Sequence, residues 1–338
     1  MQALRIDATG ENSLSDVPSQ DLGALDVRIA VKHVGLCGTD LNTFRGLNPL
    51  VELPRIPGHE AVGTIIETGS EVGTGVEVGM SGVLWPYSAC GECTSCRAGR
   101  SYACRYNKTL GVQRDGALRE NIVLPASCLI ANNSIPLERL VLVEPLSVGF
   151  HAARRGMTCE ADTVVVFGCG MIGLGAIMGA ERAGAKVIAV DPIAAKKDIA
   201  LTCGADSFTS ATGDDLLQEI DAATNGNGAD LVIEAVGLPA TFTAAVDIVA
   251  FSGRIVYVGY SKAPVTYDTK YFNLKELNIY GSRNASREDF DTVISALEHM
   301  GDKADQLISR YIPFAEAETA LPYWNENPQD VLKLVVVL

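Results

Sequence analysis

The chain has 338 residues, 47% of them apolar and 20% charged, and carries a net charge of −14. That length suits two domains and is enough to bury substantial cores. The acidity argues against nucleic acid or an anionic membrane as partner, because both demand basic patches, and no run approaches the ~18 apolar residues of a membrane span.

The first residues, Met1-Gln2-Ala3-Leu4-Arg5-Ile6-Asp7, read as a strand rather than a charged-then-apolar leader, which favours a cytoplasmic location. The runs 27–31, 61–66 and 121–124 are short, rich in β-branched residues and separated by glycine or proline. They imply an antiparallel, partly barrel-like domain over the first third of the chain. Within it lie Gly35-Leu36-Cys37-Gly38-Thr39-Asp40 and Pro57-Gly58-His59-Glu60. A thiolate and an imidazole set on two loops can hold one Zn²⁺, and a catalytic zinc takes three protein ligands and keeps one position open. Glu60 or a distant acid could supply the third. The Thr39 hydroxyl stands two residues from Cys37, within reach of whatever fills the open position. The plainer alternative is a cysteine that ends an apolar run and is simply buried.

Next comes Cys90-Gly91-Glu92-Cys93-Thr94-Ser95-Cys96, followed by Cys104. The spacing C-x2-C-x2-C-x7-C lets four thiolates converge on one tetrahedral Zn²⁺ with no open position, a site that folds a loop rather than reacts. Iron–sulfur spacing differs and carries a trailing Cys-Pro.

Beyond these cysteines the pattern changes to alternating strands and helices. Thr163-Val164-Val165-Val166-Phe167 is a buried strand that runs into Gly168-Cys169-Gly170-Met171-Ile172-Gly173, then a helix from Leu174 to Ala183 ended by Gly184. The next strand, 186–190, ends on Asp191. Strand, G-x-G-x-x-G, helix, strand and acid together read as a dinucleotide-binding unit. Gly168 permits the tight turn, Gly170 lets a pyrophosphate approach the backbone, and Gly173 allows close helix–strand packing. The helix N-terminus offers N–H groups to the phosphates, and Met171 and Ile172 of the glycine loop are expected to meet the cofactor beside it. Asp191 would accept hydrogen bonds from the adenosine ribose and repel a 2′-phosphate. Pro192-Ile193-Ala194 bring no arginine beside it, so NAD is favoured over NADP.

Further strands are expected at 207–209, 231–236, 254–258 and 277–280, with helices at 214–223 and 240–250. Six strands in βα order complete a doubly wound parallel sheet. An amphipathic helix from Arg287 (Phe290, Val293, Ile294, Leu297) and a last strand at 331–337 form a tail expected to return to the first domain. The expected division is 1–147, 148–284 and 285–338.

In this order, the Cys37 and His59 motifs, the four clustered cysteines, Glu144-Pro145 and the glycine loop resemble the zinc-containing medium-chain alcohol dehydrogenases. The likeness is to the branch acting on polyols, sugar acids and threonine, and it covers essentially the whole chain. It implies an α/β protein in which a Rossmann NAD domain joins a GroES-like catalytic domain, with two Zn²⁺ per chain. The catalytic zinc would be held by Cys37, His59 and either Glu60 or Glu144, with Asp40 orienting the histidine. Arg283 matches an arginine set against the pyrophosphate. Where the family commonly has a histidine ending a proton relay, this chain has Asn42, which does not titrate. His33 comes too early in the motif to match that histidine, and His151 and His299 read as surface or packing residues.

The expected chemistry is oxidation of a secondary hydroxyl of a polyol, sugar or aldonate to a ketone. Zinc prepares the alkoxide, Thr39 takes the proton and NAD accepts hydride. Other readings are an amino-alcohol dehydrogenase, a simple secondary alcohol dehydrogenase or carbonyl reductase and, more distantly, a non-catalytic NAD-binding protein. The substrate pocket is expected between the domains, with Arg114 as a fork for a substrate carboxylate and Phe44 as a wall. Each has a plain alternative, an ion-paired surface arginine and a core aromatic. The resemblance also implies a homodimer or homotetramer, with sheet extension along 277–280 and 256–260 as the means.

Overall fold

The computed structural model describes Met1–Leu338. The chain divides into two compact units, one of Met1–Glu144 with Leu297–Leu338 and the other of Pro145–Ala296.

In the first unit, β1 (Gln2–Ala8) and β2 (Glu11–Asp16) form a hairpin. A seven-stranded sheet follows, built on the long β3 (Asp26–Leu36), whose burial alternates from Asp26 to Lys32, as expected of a strand with one face in the core, and is continuous from His33 to Leu36. After it come the short helix α1 (Gly38–Phe44), β4 (Glu60–Thr68), β5 (Ser81–Leu84), α2 (Thr94–Arg97), β6 (Asn121–Pro125), β7 (Leu129–Ala131) and α3 (Leu137–Leu140). The C-terminal segment adds β14 (Arg310–Pro313), α11 (Ala320–Glu326) and β15 (Leu334–Val337). β15 pairs antiparallel with β3, placing Leu334 opposite Leu36. Leu334, Val336, Ile312 and Leu321 thus join Ile29, Leu36 and Phe44 in one core.

Two details differ from expectation. β14 and β15 run parallel within an otherwise antiparallel sheet. The last strand begins at Leu334 rather than Val331, because Leu332 N–H donates to Ser309 Oγ and the Lys333 carbonyl accepts from Ser309 N–H, so neither joins the ladder.

The second unit is a six-stranded parallel sheet in the order β10-β9-β8-β11-β12-β13. Its strands are β8 (Thr163–Phe167), β9 (Lys186–Val190), β10 (Ser207–Thr209), β11 (Ala229–Glu234), β12 (Val249–Tyr257) and β13 (Asn278–Gly281). The helices α4 (Val143–Arg155), α5 (Met171–Arg182), α6 (Lys197–Thr202), α7 (Gly213–Ala223), α8 (Pro239–Ile248), α9 (Lys270–Leu274) and α10 (Arg287–Met300) intervene or flank. The strand order reverses between β8 and β11, and the crevice beyond the carboxyl ends there is where such sheets bind ligands. α5 starts at Met171, three residues before the expected Leu174, because Gly170 is already its extended N-cap. β12 begins at Val249 and breaks register before Arg254, with Ser252 at φ 58°.

Candidate active site

Cys37 ends β3 and caps α1 in an extended conformation. Asp40, in the first turn, accepts the Cys37 N–H at 2.9 Å, which ties the thiol-bearing residue to the helix start. Across the ladder, Glu60 pairs with Gly35, so β3 and β4 carry Cys37 and the loop residue His59 to the same end of the sheet. Gly35 is required there, since a Cβ would lie 2.2 Å from Glu60 Oε2. Ligand atoms of Cys37, His59 and Glu60 all lie within 4.8 Å of one another. Thr39 Oγ1 is 3.6 Å from Cys37 Sγ.

The donor set fits a divalent cation. His59 Nδ1 and Asp40 Oδ1 are buried without a hydrogen-bond partner and stand 3.9 Å apart, a charge contact rather than a hydrogen bond. Burial works against an imidazolium, yet Asp40 and Cys37 hold the His59 pKa well above its ordinary value. The acidic cluster draws in positive charge, and one soft thiolate, one imidazole and one carboxylate suit Zn²⁺.

Glu60 and Glu144 each have a partner far away in sequence. Lys333 Nζ, buried just before β15, donates to Glu60 Oε1 at 2.7 Å, Glu60 Oε2 at 2.5 Å and Leu36 O at 3.0 Å. Burial opposes its charge, but Glu60 and Cys37 raise its pKa above the usual lysine value. The sequence reading missed this residue. Its signal was a lone cation inside the apolar run Val331-Leu332-Lys333-Leu334-Val335. Glu144, in the first turn of α4, accepts a hydrogen bond from the buried Tyr87 hydroxyl and lies outside the Cys37 cluster. Burial, helped by the Glu60 charge and opposed by His59, raises the Glu144 pKa. Tyr87, edge-on to Trp85 with ring centroids 5.1 Å apart, was also missed.

The four clustered cysteines converge. Their Sγ separations include 3.5 Å (Cys93–Cys96), 3.6 Å (Cys90–Cys104), 3.9 Å (Cys93–Cys104) and 4.0 Å (Cys90–Cys96). A tetrahedron of ~2.3 Å Zn–S bonds has sulfur edges of about 3.8 Å, so the cage has the size of a zinc site. N–H groups of Cys96 and Arg105 lower the Cys93 pKa to about 6, while desolvation and the adjacent Cys93 push Cys96 up to about 12.

In the second unit Gly168 turns the chain with φ +90°, and a Cβ on Gly173 would sit 1.7 Å from Gly168 O. A Cβ on Gly170 would meet nothing within 4 Å, leaving open space before the α5 N-terminus. Asp191 Oδ2 accepts Cys169 N–H at 2.8 Å and Lys196 Nζ at 2.9 Å, and Oδ1 accepts Ile193 N–H at 3.0 Å. Glycine turn, open helix end and acid fit a dinucleotide. Lys196 lies beyond the Pro192-Ile193-Ala194 stretch that directly follows Asp191. Arg283 is exposed in the loop after β13. Phe44 packs in the core of the first unit, and Arg114 reaches the Pro86 carbonyl at 3.4 Å, with burial lowering its pKa.

Comparison with known proteins agrees with this geometry. Residues 23–134 match the alcohol dehydrogenase GroES-like domain and residues 172–299 the zinc-binding dehydrogenase domain. An uncharacterized zinc-type alcohol dehydrogenase-like protein of Haemophilus influenzae is 33% identical over 100% of this chain and 98% of its own. L-galactonate-5-dehydrogenase of Escherichia coli is 31% identical, covering 93% and 92%. L-threonine 3-dehydrogenase of Bacillus licheniformis is 32% identical, covering 89% of each. Among solved structures, an E. coli alcohol dehydrogenase with NADH has a TM-score of 0.91 at 27% identity, covering 100% and 99%. A zinc-binding dehydrogenase of Sinorhizobium meliloti bound to NADP has a TM-score of 0.89 at 27% identity, with the same coverage. Two matched domains in order, full-length relatives and the thiol–imidazole–carboxylate cluster make this chain a member of the zinc-type medium-chain alcohol dehydrogenases.

Proposed function

We propose that the chain oxidises a secondary hydroxyl of a polyol, sugar or sugar acid to the ketone, with NAD as hydride acceptor. The observation that carries this reading is the meeting of Cys37, His59 and Glu60 with the Thr39 hydroxyl beside them, in a chain that also bears the dinucleotide loop. Zinc, when bound, supplies the Lewis acidity that acidifies a hydroxyl, and NAD supplies the redox step. Cys37 and His59 hold the metal, and Glu60 is the third donor, its remaining charge balanced by Lys333. Glu144, held by Tyr87, is the outer acid. Thr39 accepts the proton of the substrate hydroxyl and passes it on, and Asn42 leaves the relay to end on water.

Asp191 receives the adenosine ribose, Gly168 to Gly173 the pyrophosphate, and Arg283 adds a cation to the phosphates. A second zinc in the Cys90, Cys93, Cys96 and Cys104 cage shapes its loop. The nine cysteines form no disulfide, which suits a reducing compartment. The unpaired outer edge of β13 suits a second copy that extends the sheet into a homodimer, an arrangement that the mass in solution reads.

The substrate class leans on relatives that act on galactonate and threonine. Elemental zinc on the purified protein, with NAD reduction across polyols, aldonic acids and threonine, tests the reading. Two zincs and turnover on a hydroxyl-rich substrate are expected. A best rate on threonine moves the assignment to an amino alcohol, and one zinc without turnover overturns it.

A further inference from the structure

The second unit contains a buried polar network that the proposed chemistry does not use. His151 and Arg154 stand three residues apart on one face of α4 and converge on Asp289, in the first turn of α10. Asp289 is 3% exposed. Its Oδ2 lies 2.9 Å from His151 Nδ1 and accepts Arg154 Nη2 at 3.0 Å and both Ser286 N–H and Oγ–H at 2.7 Å. Its Oδ1 accepts Arg154 Nε at 2.9 Å. Arg154 Nη2 reaches Ser286 Oγ as well, at 2.8 Å. This is a two-pronged arginine–carboxylate pair combined with a helix cap. Although burial disfavours its charge, the hydrogen bonds from His151 and Ser286 leave the Asp289 pKa below its ordinary value.

The network fixes one end of a short loop. Ser282, Arg283, Asn284, Ala285 and Ser286 leave the carboxyl end of β13, the edge of the sheet that also bears the glycine loop. At the start of the loop Ser282 N–H donates to Tyr257 O at 2.9 Å, and at its end Ser286 is clamped by Asp289 and Arg154. Between the anchors Asn284 is held at φ 53°, a conformation that needs its surroundings to maintain it. The exposed residue so positioned is Arg283.

We propose that His151, Arg154 and Asp289 are positioning residues for the cofactor, holding the loop so that Arg283 meets the dinucleotide diphosphate already oriented. This rests on the reading of Arg283 as a phosphate ligand. Pre-ordering the loop spares binding the entropy of fixing it. The strand order puts β9, with Asp191, and β13, with Arg283, on opposite sides of β8. Adenosine, which carries neither phosphate, therefore reports on the Asp191 half alone, and ADP-ribose on both halves.

Calorimetric titration of the zinc-loaded protein with adenosine and with ADP-ribose tests this. Arg283→Ala should weaken ADP-ribose about tenfold and adenosine less than about twofold. Asp289→Asn and the milder Arg154→Lys, on a side chain 44% exposed, should show the same selective loss. The double variant Asp289→Asn/Arg283→Ala should lose no more than Arg283→Ala alone. If Arg283→Ala leaves ADP-ribose binding intact, the phosphate reading of Arg283 fails and the inference fails with it. If Arg283→Ala weakens binding but Arg154→Lys and Asp289→Asn do not, or if the double variant is additive, the network is a helix tie only and the inference alone fails. Should Asp289→Asn lose adenosine and ADP-ribose equally through damage to the fold, Arg154→Lys decides.

Discussion

Replacing Lys333 with methionine isolates the interaction that the second unit does not share and the motifs do not reveal. Glu60 and Lys333 have side chains 1% and 3% exposed, and the ammonium serves both carboxylate oxygens and the Leu36 carbonyl. Lys333→Met keeps the stem volume but leaves a buried carboxylate without its cation, a change that costs about 3–5 kcal/mol. For a unit of this size that corresponds to a fall in melting temperature of about 6–20 °C. The pair also has a defined pH range. The Lys333 pKa is raised on folding, so its stabilisation is complete below the unfolded-state lysine pKa and is lost as pH rises through the folded value, above about 10.5. Thermal unfolding of metal-free protein at pH 7 should show the full loss. Glu60→Gln in the Lys333→Met background should recover most of it, because the uncompensated charge is gone. Zinc should narrow the gap between Lys333→Met and the parent chain, since the metal stands in for the lost cation. A Lys333→Met variant that melts within about 1 °C of the parent, or that Glu60→Gln fails to rescue, would refute the reasoning.

Three further outcomes follow from the geometry. Cys104→Ser should halve the zinc content and make the 90–104 loop sensitive to protease while Cys37 chemistry persists, because the cage needs all four sulfurs. Lys196→Ala should lower kcat/KM with NADP relative to NAD by about fivefold, since Asp191 then meets the 2′-phosphate without its 2.9 Å counter-charge; an unchanged ratio would show that Lys196 plays no part in cofactor choice. The Asp289 pKa is depressed on folding, so its contribution is present above the unfolded carboxylate value and lost as pH falls below about 4. Acid titration of stability should therefore be shallower in Asp289→Asn than in the parent, and parallel curves would count against the network.

Much of the protein could be read along the chain because its chemistry is local. The spacing of Cys90, Cys93, Cys96 and Cys104 already suits a tetrahedral cage, and their sulfurs stand at cage distances. Gly168, Gly170, Gly173 and Asp191 lie within one strand–turn–helix–strand unit, so their roles follow from backbone geometry over a couple of dozen residues. The α/β alternation likewise foretold the six-stranded sheet, since each strand and helix carries its own hydrophobic period.

Which groups surround the reactive cluster depended on contacts that no local period describes. Of the two acids that the motifs offered, Glu60 falls into the cluster because the β3–β4 register sets it opposite Gly35, whereas Glu144 turns to Tyr87. The Lys333–Glu60 pair spans 273 residues, the Tyr87–Glu144 bond 57 and the His151–Asp289 contact 138. Residue spacing reports what can meet within a turn or a loop. Strand register and helix docking, decided by burial over the whole unit, chose the partners that neutralise the buried charges.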